Sequence, residues 1–345
     1  MQNLSKLPSL LLPWFAENAR ILPWREDTEP YHVWISEIML QQTRVEAVRD
    51  YYLRFLAALP DIESLAAVSD DGLMKLWQGL GYYSRARNLK KAAQTIVDRF
   101  AGAFPERYED IKSLPGIGEY TAGAISSICF ENRTPAVDGN VLRVFARYTA
   151  WERPIDGSGA KAFVADALRP LYVPGSCGAF TQSLMELGAC VCLPNGAPDC
   201  ENCPLNRYCR AFTEGKTARL PLKGEKKPRR IEDRVVFVLK CGDRFALRKR
   251  PEKGLLAGLW EFPGAAAASG TSPERLAVEF AEATGAAPLR VSGQRFYTHI
   301  FTHVEWRVTG VFVDCGEATD ALVWATSSEL RERYALPTAF RKLTE

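Results

Sequence analysis

The stretch LPGIGEYTAG, residues 114–123, constrains the fold of this chain more than any other stretch. It follows the short helical segment YEDIKS, holds two glycines separated by one residue, and leads into a second helical run. This order predicts a helix-hairpin-helix in which Gly116 and Gly118 take positive φ and point their backbone N–H groups outward. Such amides at a helix N-terminus suit a DNA phosphate in any sequence. The alternative is a helix connector that ends on a C-cap glycine.

The pattern of apolar residues divides the chain of 345 residues into two parts, and this length is enough for two domains. Residues up to 212 predict helices, among them one long amphipathic helix over HVWISEIMLQQTRVEAVRDYYLRFLAAL, which lacks Gly and Pro. Residues 213–230 predict a basic linker. Beyond it, RVVFVLK, RFALRKR and GQRFYTHIFTHVEWRVTGVFVD predict strands and PERLAVEFAEATG predicts a helix. Residues 231–345 are therefore expected to form an α+β domain.

The net charge of +3 is too small to indicate a partner by itself. Basic residues cluster after GLGYYS and after VDGN, where they face either DNA phosphates or solvent: Arg85, Arg87, Lys90, Lys91, Arg143 and Arg147. No apolar run is long enough to suggest a membrane span. The first residues lack the pattern of a secretory signal, so we expect a cytoplasmic protein.

Two carboxylates stand where acid–base chemistry is plausible. Glu37 in VWISEIML has apolar neighbours on nearly every side, and burial would raise its pKa towards that of a proton donor near neutral pH. Asp138 in PAVDGNVLRVFARY precedes a helix whose amides would keep it ionised. One protonated and one ionised carboxyl group can cleave a glycosidic bond through a cationic transition state. The alternatives are a Glu on a polar stripe and an Asp that only caps its helix.

Four of the nine cysteines lie in one run, CLPNGAPDCENCPLNRYC: Cys192, Cys200, Cys203 and Cys209. A single dense group in a long chain favours metal binding over a disulfide framework. The run has one C-x-x-C pair, and all four ligands come from one loop, which favours a [4Fe–4S] cluster with a structural role. A zinc site is the alternative.

Six motifs follow one another along the chain: LPWR, SEIMLQQTR, GLGYYSRARNL, LPGIGEYTAGAI, VDGNVLRV and MELGACVC. Together they resemble the helix-hairpin-helix DNA glycosylases of the endonuclease III superfamily, and most closely its adenine-specific branch, the MutY-type adenine DNA glycosylases. The resemblance is specific over about residues 5–212 and looser over 230–345. It implies a monofunctional enzyme of base excision repair that flips and hydrolytically removes adenine mispaired with 8-oxoguanine or guanine. Its implied partner is double-stranded DNA with these mispairs, bound by a monomer associated with the nucleoid.

The resemblance also implies the domain plan. Residues 1–212 would form a mainly α catalytic region, with a six-helix barrel over about 22–131 and an iron–sulfur module from 1–21 and 132–212. One [4Fe–4S] cluster would be its cofactor. The basic linker would lead to a Nudix-like 8-oxoguanine recognition domain over 231–345. The first two cluster cysteines are one residue farther apart than is usual in the family, and Cys190 is the nearby substitute for Cys192.

By the same resemblance, Glu37 would protonate the flipped adenine and help to place water. Asp138, aided by Asn140, would stabilise or trap the cationic sugar. Lyase members of the superfamily carry a lysine where this chain has Tyr120, and a tyrosine cannot form an imine with the sugar. Base removal should therefore leave an intact strand with an abasic site.

Further residues are implied to contact DNA, because extrusion of a base needs a pocket for it and wedges in the stack it leaves. Three would line the adenine pocket and three would enter the stack or lie near 8-oxoguanine: Trp24, Arg25 and Gln182, then Gln42, Tyr82 and Thr43.

The segment GLWEFPG resembles the start of a Nudix motif, which needs a cluster of glutamates to hold Mg²⁺. VEFAEATG keeps only Glu279 and Glu282 of that cluster, so we expect a recognition module. The resemblance places Phe301, Thr302 and His303 in the loop that inspects 8-oxoguanine; the family often has Ser where Thr302 stands. The alternative is a plain hairpin turn.

Three rival functions remain open at this point. A bifunctional glycosylase and abasic-site lyase of the endonuclease III type would nick DNA without added base, and Tyr120 opposes it. A nucleotide hydrolase would need the missing glutamates. An iron–sulfur DNA-binding regulator would leave Glu37 and Asp138 without a role.

Overall fold

The computed structural model describes residues 3–225, 228–267 and 270–344. Residues 226 and 227 of the predicted linker, and residues 1, 2, 268, 269 and 345 of the predicted domains, lie outside the described residues. The described residues divide into two compact units. The first combines residues 3–67 with residues 88–225, and the second combines residues 68–87 with the described residues from 228 onwards.

Helices dominate the first two thirds of the chain, as predicted. They are α1 (Leu7–Asn18), α2 (Pro30–Leu40), α3 (Val45–Ala58), α4 (Ile62–Ala67), α5 (Asp70–Leu76), α6 (Ser84–Phe100), α7 (Tyr108–Ser113), α8 (Glu119–Phe130), α9 (Gly139–Thr149), α10 (Ala160–Leu168), α11 (Cys177–Cys190) and α12 (Arg210–Thr213). Short 3₁₀ turns cover Leu4–Lys6, Pro23–Arg25, Arg169–Leu171 and Asn206–Tyr208. No helix of the described residues is long and apolar enough to cross a membrane.

The single long helix predicted over residues 32–59 is wrong, because α2 ends at Leu40 and α3 begins at Val45. Gln42 between them has φ of 59°, in the left-handed region. The Gln41 side chain donates to Thr121 Oγ1 on α8 at 3.3 Å, and the Thr43 N–H donates to the Leu40 carbonyl at 3.3 Å. The break is therefore held by local and tertiary contacts rather than by a Gly or Pro.

One hydrophobic core of the first unit lies between α1, α9 and α11. Apolar side chains of these helices pack together and are almost fully buried, among them Leu7, Leu11, Phe145, Phe180 and Leu184. This packing fixes α9 and α11 side by side. Both helices lead residues into the same cleft, which is described below.

The second unit contains a mixed sheet, as predicted for an α+β domain. Its elements are β1 (Arg230–Cys241), β2 (Arg244–Lys249), β3 (Trp260–Glu261), β4 (Gly264–Ala266), α13 (Pro273–Ala283), β5 (Pro288–Ile300), β6 (Val304–Cys315), β7 (Val323–Thr326), α14 (Ser327–Glu332) and α15 (Thr338–Arg341). The strand order is β3-β2-β1-β6-β5, with β4 beside β1 and β7 beside β2. Strands β1 and β6 are parallel, and the other pairs are antiparallel. Apolar cores cover both faces of the sheet, and α13 contributes Ala277 and Ala281 to one of them.

Part of the predicted linker packs against the first unit. Leu220 is buried and its carbonyl accepts from Arg147 Nε at 2.8 Å. The Ile155 N–H donates to the Leu222 carbonyl at 3.0 Å, and the Gly224 N–H donates to Asp156 Oδ1 at 2.8 Å. These contacts place residues up to 224 on the surface of the first unit.

Candidate active site

A cleft of about 960 Å³ opens in the first unit, and it gathers residues from several distant stretches of the chain. Ten of the residues predicted from the sequence line it: Trp24, Arg25, Glu37, Gln42, Thr43, Gly118, Tyr120, Asp138, Asn140 and Gln182. The helical core therefore brings together side chains that are up to about 160 positions apart in sequence.

Glu37 projects into this cleft from α2, where seven neighbouring residues are also buried. The Glu37 residue is only 7% exposed. Burial raises the pKa of this carboxyl group to about 7, with a smaller upward contribution from the charge of Asp138. Tyr120 and Arg25 act in the opposite direction. The prediction of a carboxyl group that can donate a proton near neutral pH agrees with this environment.

Tyr120 lies in the first turn of α8, directly after the glycine turn. Its Oη donates to Glu37 Oε2 at 2.6 Å and lies 3.9 Å from Met185 Sδ. Burial, and next the charge of Glu37, raise the pKa of the phenol well above its usual value. Tyr120 is therefore a neutral hydrogen-bond donor that fixes the orientation of the Glu37 carboxyl group.

Asp138 is the N-cap of α9, so the capping alternative is correct as local structure. Its Oδ1 accepts from the Val141 N–H at 2.8 Å, and its Oδ2 accepts from Asn140 Nδ2 at 2.7 Å. These bonds favour the carboxylate, as predicted. Burial outweighs them, however, and raises the pKa of Asp138 above its ordinary value. The cap also turns the carboxyl group into the cleft that holds Glu37.

Arg143 and Arg147 are not surface cations, contrary to one of the two sequence interpretations. They are only 7% and 4% exposed. Arg143 donates from Nη2 to Asn140 Oδ1 at 2.7 Å and from Nε to the Cys192 carbonyl at 2.7 Å. It thereby joins the Asp138–Asn140 pair to the start of the cysteine loop. Sequence reasoning missed this role, because a basic residue on a helix gives no sign of which way it points.

A second group that sequence reasoning missed lies at the wall of the same cleft. Glu186 on α11 is fully buried and binds two guanidinium groups: its Oε1 accepts from Arg20 Nε at 2.7 Å, and its Oε2 accepts from Arg25 Nη2 at 2.8 Å. These bonds outweigh burial and lower the pKa of Glu186 to about 2. Arg25 is therefore held in place by a permanent anion. Trp24 completes this wall, with its ring edge-on to Tyr52 at 5.6 Å between centroids.

The glycine turn has the predicted helix–turn–helix order, but only one of its glycines needs to be glycine for its φ angle. Gly116 has φ of 78°, and a Cβ there would lie 2.5 Å from Asn88 Cβ. Gly118 has φ of −95°, which any residue adopts, and a Cβ there would meet open space. The prediction of positive φ at Gly118 is therefore wrong. Gly118 instead leaves the cleft open beside the N-terminus of α8.

The four cysteines of the predicted cluster line one small cavity in the first unit, together with Arg147 and Phe212. All are free thiols, and Arg147 Nη1 donates to Cys192 Sγ at 3.3 Å. Cys190 is exposed on α11 and contacts Glu186 instead. Within the described ranges, no group of three or more His, Cys, Asp or Glu side chains converges on a point as ligands of one metal ion would. A four-iron cluster takes one thiolate at each iron and needs thiols around a shared cavity.

Tyr82 and Thr302 lie together in the second unit, where their hydroxyl groups form a hydrogen bond. Phe301, Thr302 and His303 form the turn between β5 and β6. The Phe301 ring packs against Trp306 at 4.9 Å between centroids, whereas Thr302 and His303 are exposed. The turn thus has one partly buried aromatic anchor and two exposed polar side chains.

Glu279 and Glu282 both lie on α13, and both are exposed. Glu279 Oε1 accepts from Arg275 Nε at 2.7 Å, one helical turn away. Its carboxylate is thus engaged in a surface ion pair.

Comparison with known proteins gives two family matches along the chain. Residues 35–165 match the HhH-GPD superfamily of base excision DNA repair proteins, and residues 234–345 match the NUDIX domain. The chain is similar to the adenine DNA glycosylase of Mus musculus, with 33% identity over 97% of this chain and 76% of the mouse protein. The Homo sapiens adenine DNA glycosylase is 33% identical, over 96% of this chain and 72% of the human protein. That of Arabidopsis thaliana is 38% identical, and the match spans 96% of this chain but only 63% of the plant protein.

Solved structures support the fold of the helical part. A thermostable thymine-DNA glycosylase is 27% identical with a TM-score of 0.54, over 60% of this chain and 94% of that chain. Endonuclease III in a non-covalent DNA complex matches with a TM-score of 0.52 and 22% identity, over 61% of this chain and 94% of that chain, and shows the fold alone. The predicted fold class is confirmed, and DNA is the partner. The chain belongs to the adenine DNA glycosylase family, enzymes of base excision repair that hydrolyse N-glycosyl bonds in DNA.

Proposed function

We propose that this protein removes adenine mispaired with 8-oxoguanine or with guanine, by hydrolysis of the glycosidic bond, and leaves an abasic site. The observation that carries the proposal is the pairing of Glu37 and Asp138 in one cleft, with Tyr120 bonded to the first and a helix N-terminus bonded to the second. Because the pKa of Glu37 is about 7, a substantial fraction of this carboxyl group is protonated at neutral pH and can act as an acid in the cleft.

The chemistry follows from these positions. Glu37 gives its proton to a ring nitrogen of the flipped adenine, which weakens the bond between the base and C1′ as its electron pair moves into the base. The sugar becomes cationic, and the Asp138 carboxylate stabilises it electrostatically. Water then adds to C1′ and gives up one proton to the Glu37 carboxylate, which restores the acid, while Asp138 stays ionised. Asn140 and the Val141 amide hold Asp138 in place throughout.

Recognition of the base is assigned to the wall of the cleft. Trp24, Arg25 and Gln182 line it, and the buried Glu186 fixes Arg25. Gln42 and Thr43 lie in the turn between α2 and α3, where the left-handed φ of Gln42 interrupts the helix. A wedge at such a turn suits the extrusion of a base, which costs a few kcal/mol.

Tyr120 supports this proposal over the glycosylase–lyase alternative. A phenol held against Glu37 supplies no amine for an imine with C1′. The product should therefore be an unbroken strand with an abasic site.

The test compares duplexes that carry adenine opposite 8-oxoguanine, guanine or thymine. Free adenine should be released from the first two duplexes and little from the third, and the strand should break only after alkali. Strand breakage without alkali would favour the lyase alternative. Absence of adenine release from every duplex would reject the proposal.

We also propose that Cys192, Cys200, Cys203 and Cys209 hold one [4Fe–4S] cluster. The shared cavity of the four thiols and the guanidinium of Arg147 beside Cys192 support it, because a cation stabilises thiolate ligands. The cluster would supply rigidity to the loop that begins at the Cys192 carbonyl, which Arg143 binds. Purified protein should contain four iron atoms per chain and absorb near about 400 nm. Cys203→Ser should lose both, whereas Cys190→Ser should keep them. Zinc without iron in anaerobically prepared protein would favour the zinc alternative.

A further inference from the structure

Arg85 lies buried beneath the turn that carries Tyr82. The residue is 8% exposed, whereas Tyr82 is 44% exposed at the tip of the turn. The sequence analysis grouped Arg85 with basic residues that face phosphate or solvent, and its burial excludes both. Its position therefore needs another explanation.

The turn over Gly79–Tyr82 has an unusual backbone. Gly79 and Gly81 have φ of 108° and 72°, and Tyr82 itself has φ of 47°. A residue with a side chain enters this left-handed region only where its surroundings hold it there, and such residues cluster at functional sites. Something must therefore hold Tyr82 in this conformation.

Arg85 supplies that restraint from below. Its Nη2 donates to the Leu80 carbonyl at 3.1 Å and to the Gly81 carbonyl at 3.2 Å. Its guanidinium lies 5.3 Å from the centre of the Trp77 ring and 5.5 Å from that of the Tyr82 ring. Trp77 Nε1 donates to the same Gly81 carbonyl at 3.1 Å. Arg85 thus binds two backbone carbonyls of the turn, and its planar guanidinium packs against the Tyr82 ring.

Only an arginine offers this combination of contacts. Its planar fork presents several N–H groups in fixed directions and stacks on aromatic faces at the same time. Burial lowers the pKa of Arg85 to about 10, so the group still carries its charge at neutral pH.

We propose that Arg85 is a positioning residue that holds Tyr82 as a rigid wedge for the DNA base stack. The inference rests on the proposed function, in which Tyr82 enters the stack. A loose tyrosine would lose rotational freedom on insertion, whereas a fixed one is already ordered, so Arg85 should accelerate base extrusion rather than bond cleavage.

The experiment uses the full-length protein with either Arg85→Lys or Arg85→Gln. The matched control is Arg99→Lys, because Arg99 is an exposed arginine on the same helix. Single-turnover excision is measured on two duplexes with adenine opposite 8-oxoguanine. One has paired neighbours, and the other has mismatched neighbours that make extrusion easy. On the paired duplex, both Arg85 variants should excise adenine more slowly than the wild-type protein, by about tenfold or more. On the mismatched duplex, their excision rates should be nearly those of the wild-type protein. Arg99→Lys should match the wild-type protein on both.

A second comparison excludes a purely structural role. In a Tyr82→Ala background, Arg85→Lys should cause little further loss on the paired duplex, because its effect passes through the missing ring. Fluorescence of 2-aminopurine beside the mispair should show slower unstacking in the single variant. Equal slowing on both duplexes, an additive loss in the double variant, or no loss at all would overturn the proposal. Failure of wild-type protein to release adenine would instead refute the proposed function, which is a separate result.

Discussion

At the residue scale, the proposed reaction gives Glu37 and Asp138 different roles. In the proposed reaction, Glu37→Gln removes the proton donor, and Asp138→Asn removes the anion that faces the cationic sugar. Each change should lower the single-turnover rate of adenine release by roughly 10²–10⁴-fold. Affinity for the same duplex, measured by fluorescence anisotropy, should change little, since neither group is a cation that binds phosphate. Glu119→Gln is the control, because Glu119 also lines the cleft but pairs with Lys112. Near-normal rates in either carboxyl variant would disprove its assigned role.

The pH dependence of the rate follows from the hydrogen bond between Tyr120 and Glu37. Since Glu37 must be protonated and its pKa is about 7, the rate should fall above that pH by about tenfold per unit. Tyr120 Oη stabilises the carboxylate form and so lowers this pKa. Tyr120→Phe removes the stabilisation, the pKa of Glu37 rises further, and the alkaline fall should move to higher pH.

Tyr108→Phe serves as the matched control, because Tyr108 lines a neighbouring cavity and has no bond to Glu37 among the described contacts. Its pH profile should coincide with that of the wild-type protein. A Tyr120→Phe profile that moves to lower pH would contradict the assignment of Glu37 as the acid.

The roles of residues near the cleft could be predicted from the sequence where the local sequence around a side chain limits what it can do. Glu37 sits in an apolar run and Asp138 stands before a helix, so each carried a signal. Glu186 and Arg143 carried none. Their roles depend on partners 166 positions away in one case and 49 in the other, and on which side of a helix faces inward.

At the scale of elements, α11 depends on a cap from outside its own sequence. Its N-cap residue, Ser176, makes no side-chain cap bond. Glu131 instead accepts from the Cys177 N–H at 2.6 Å and from the Gly178 N–H at 3.2 Å. Because α11 carries Gln182, Glu186 and the start of the cysteine loop, this contact supports the whole pocket wall.

Glu131→Ala should therefore lower the free energy of unfolding by about 1 kcal/mol, since it removes both the acceptor and the charge at a helix N-terminus. Glu131→Gln keeps an acceptor and should lose less. Urea denaturation measures both, with the exposed Glu106→Ala as the control. Equal stability of all three variants and the wild-type protein would show that α11 does not rely on Glu131.

Local sequence predicted the type of most elements but not how they end or pair. Runs rich in β-branched and aromatic residues predicted the long strands β1, β5 and β6, because such a run is a local signal. The parallel pairing of β1 with β6 joins residues that lie 74 positions apart, such as Arg230 and Val304, and no local pattern encodes it. The break at Gln42 was missed for the same reason: it is held by Thr121 on another helix.

At the scale of the whole molecule, the compact units do not follow the order of the chain. Residues 68–87 group with the C-terminal sheet, where Gln78 Nε2 donates to the Leu336 carbonyl at 2.9 Å and Lys249 Nζ lies 3.0 Å from Asp71 Oδ1. The Tyr82 and Thr302 hydroxyl groups meet in this unit across 220 positions of sequence. A fragment that ends near residue 225 would therefore remove the packing partner of the Tyr82 turn as well as the β5–β6 turn.

Substitution in the full chain is the sharper way to test the β5–β6 turn. Phe301 is left in place because it anchors the turn on Trp306. Thr302→Ala and His303→Ala remove the two outward polar groups, separately and together. We expect the ratio of excision rates for adenine opposite 8-oxoguanine and opposite guanine to fall in each variant. The bases 8-oxoguanine and guanine differ by few polar atoms, and each lost contact to such an atom is worth about 1–3 kcal/mol.

The single variants separate two effects, because Thr302 also bonds to Tyr82 whereas no side-chain bond of His303 is described. His303→Ala should lower the ratio alone, and Thr302→Ala should in addition slow both substrates if the bond to Tyr82 helps the wedge. Thr298→Ala, an exposed threonine on β5, is the matched control. All rates are compared in single turnovers at one salt concentration, because DNA binding depends on salt. An unchanged ratio in the double variant would remove this turn from damage recognition, and the preference for 8-oxoguanine would then have to arise in the helical unit, where Gln42 and Thr43 line the cleft.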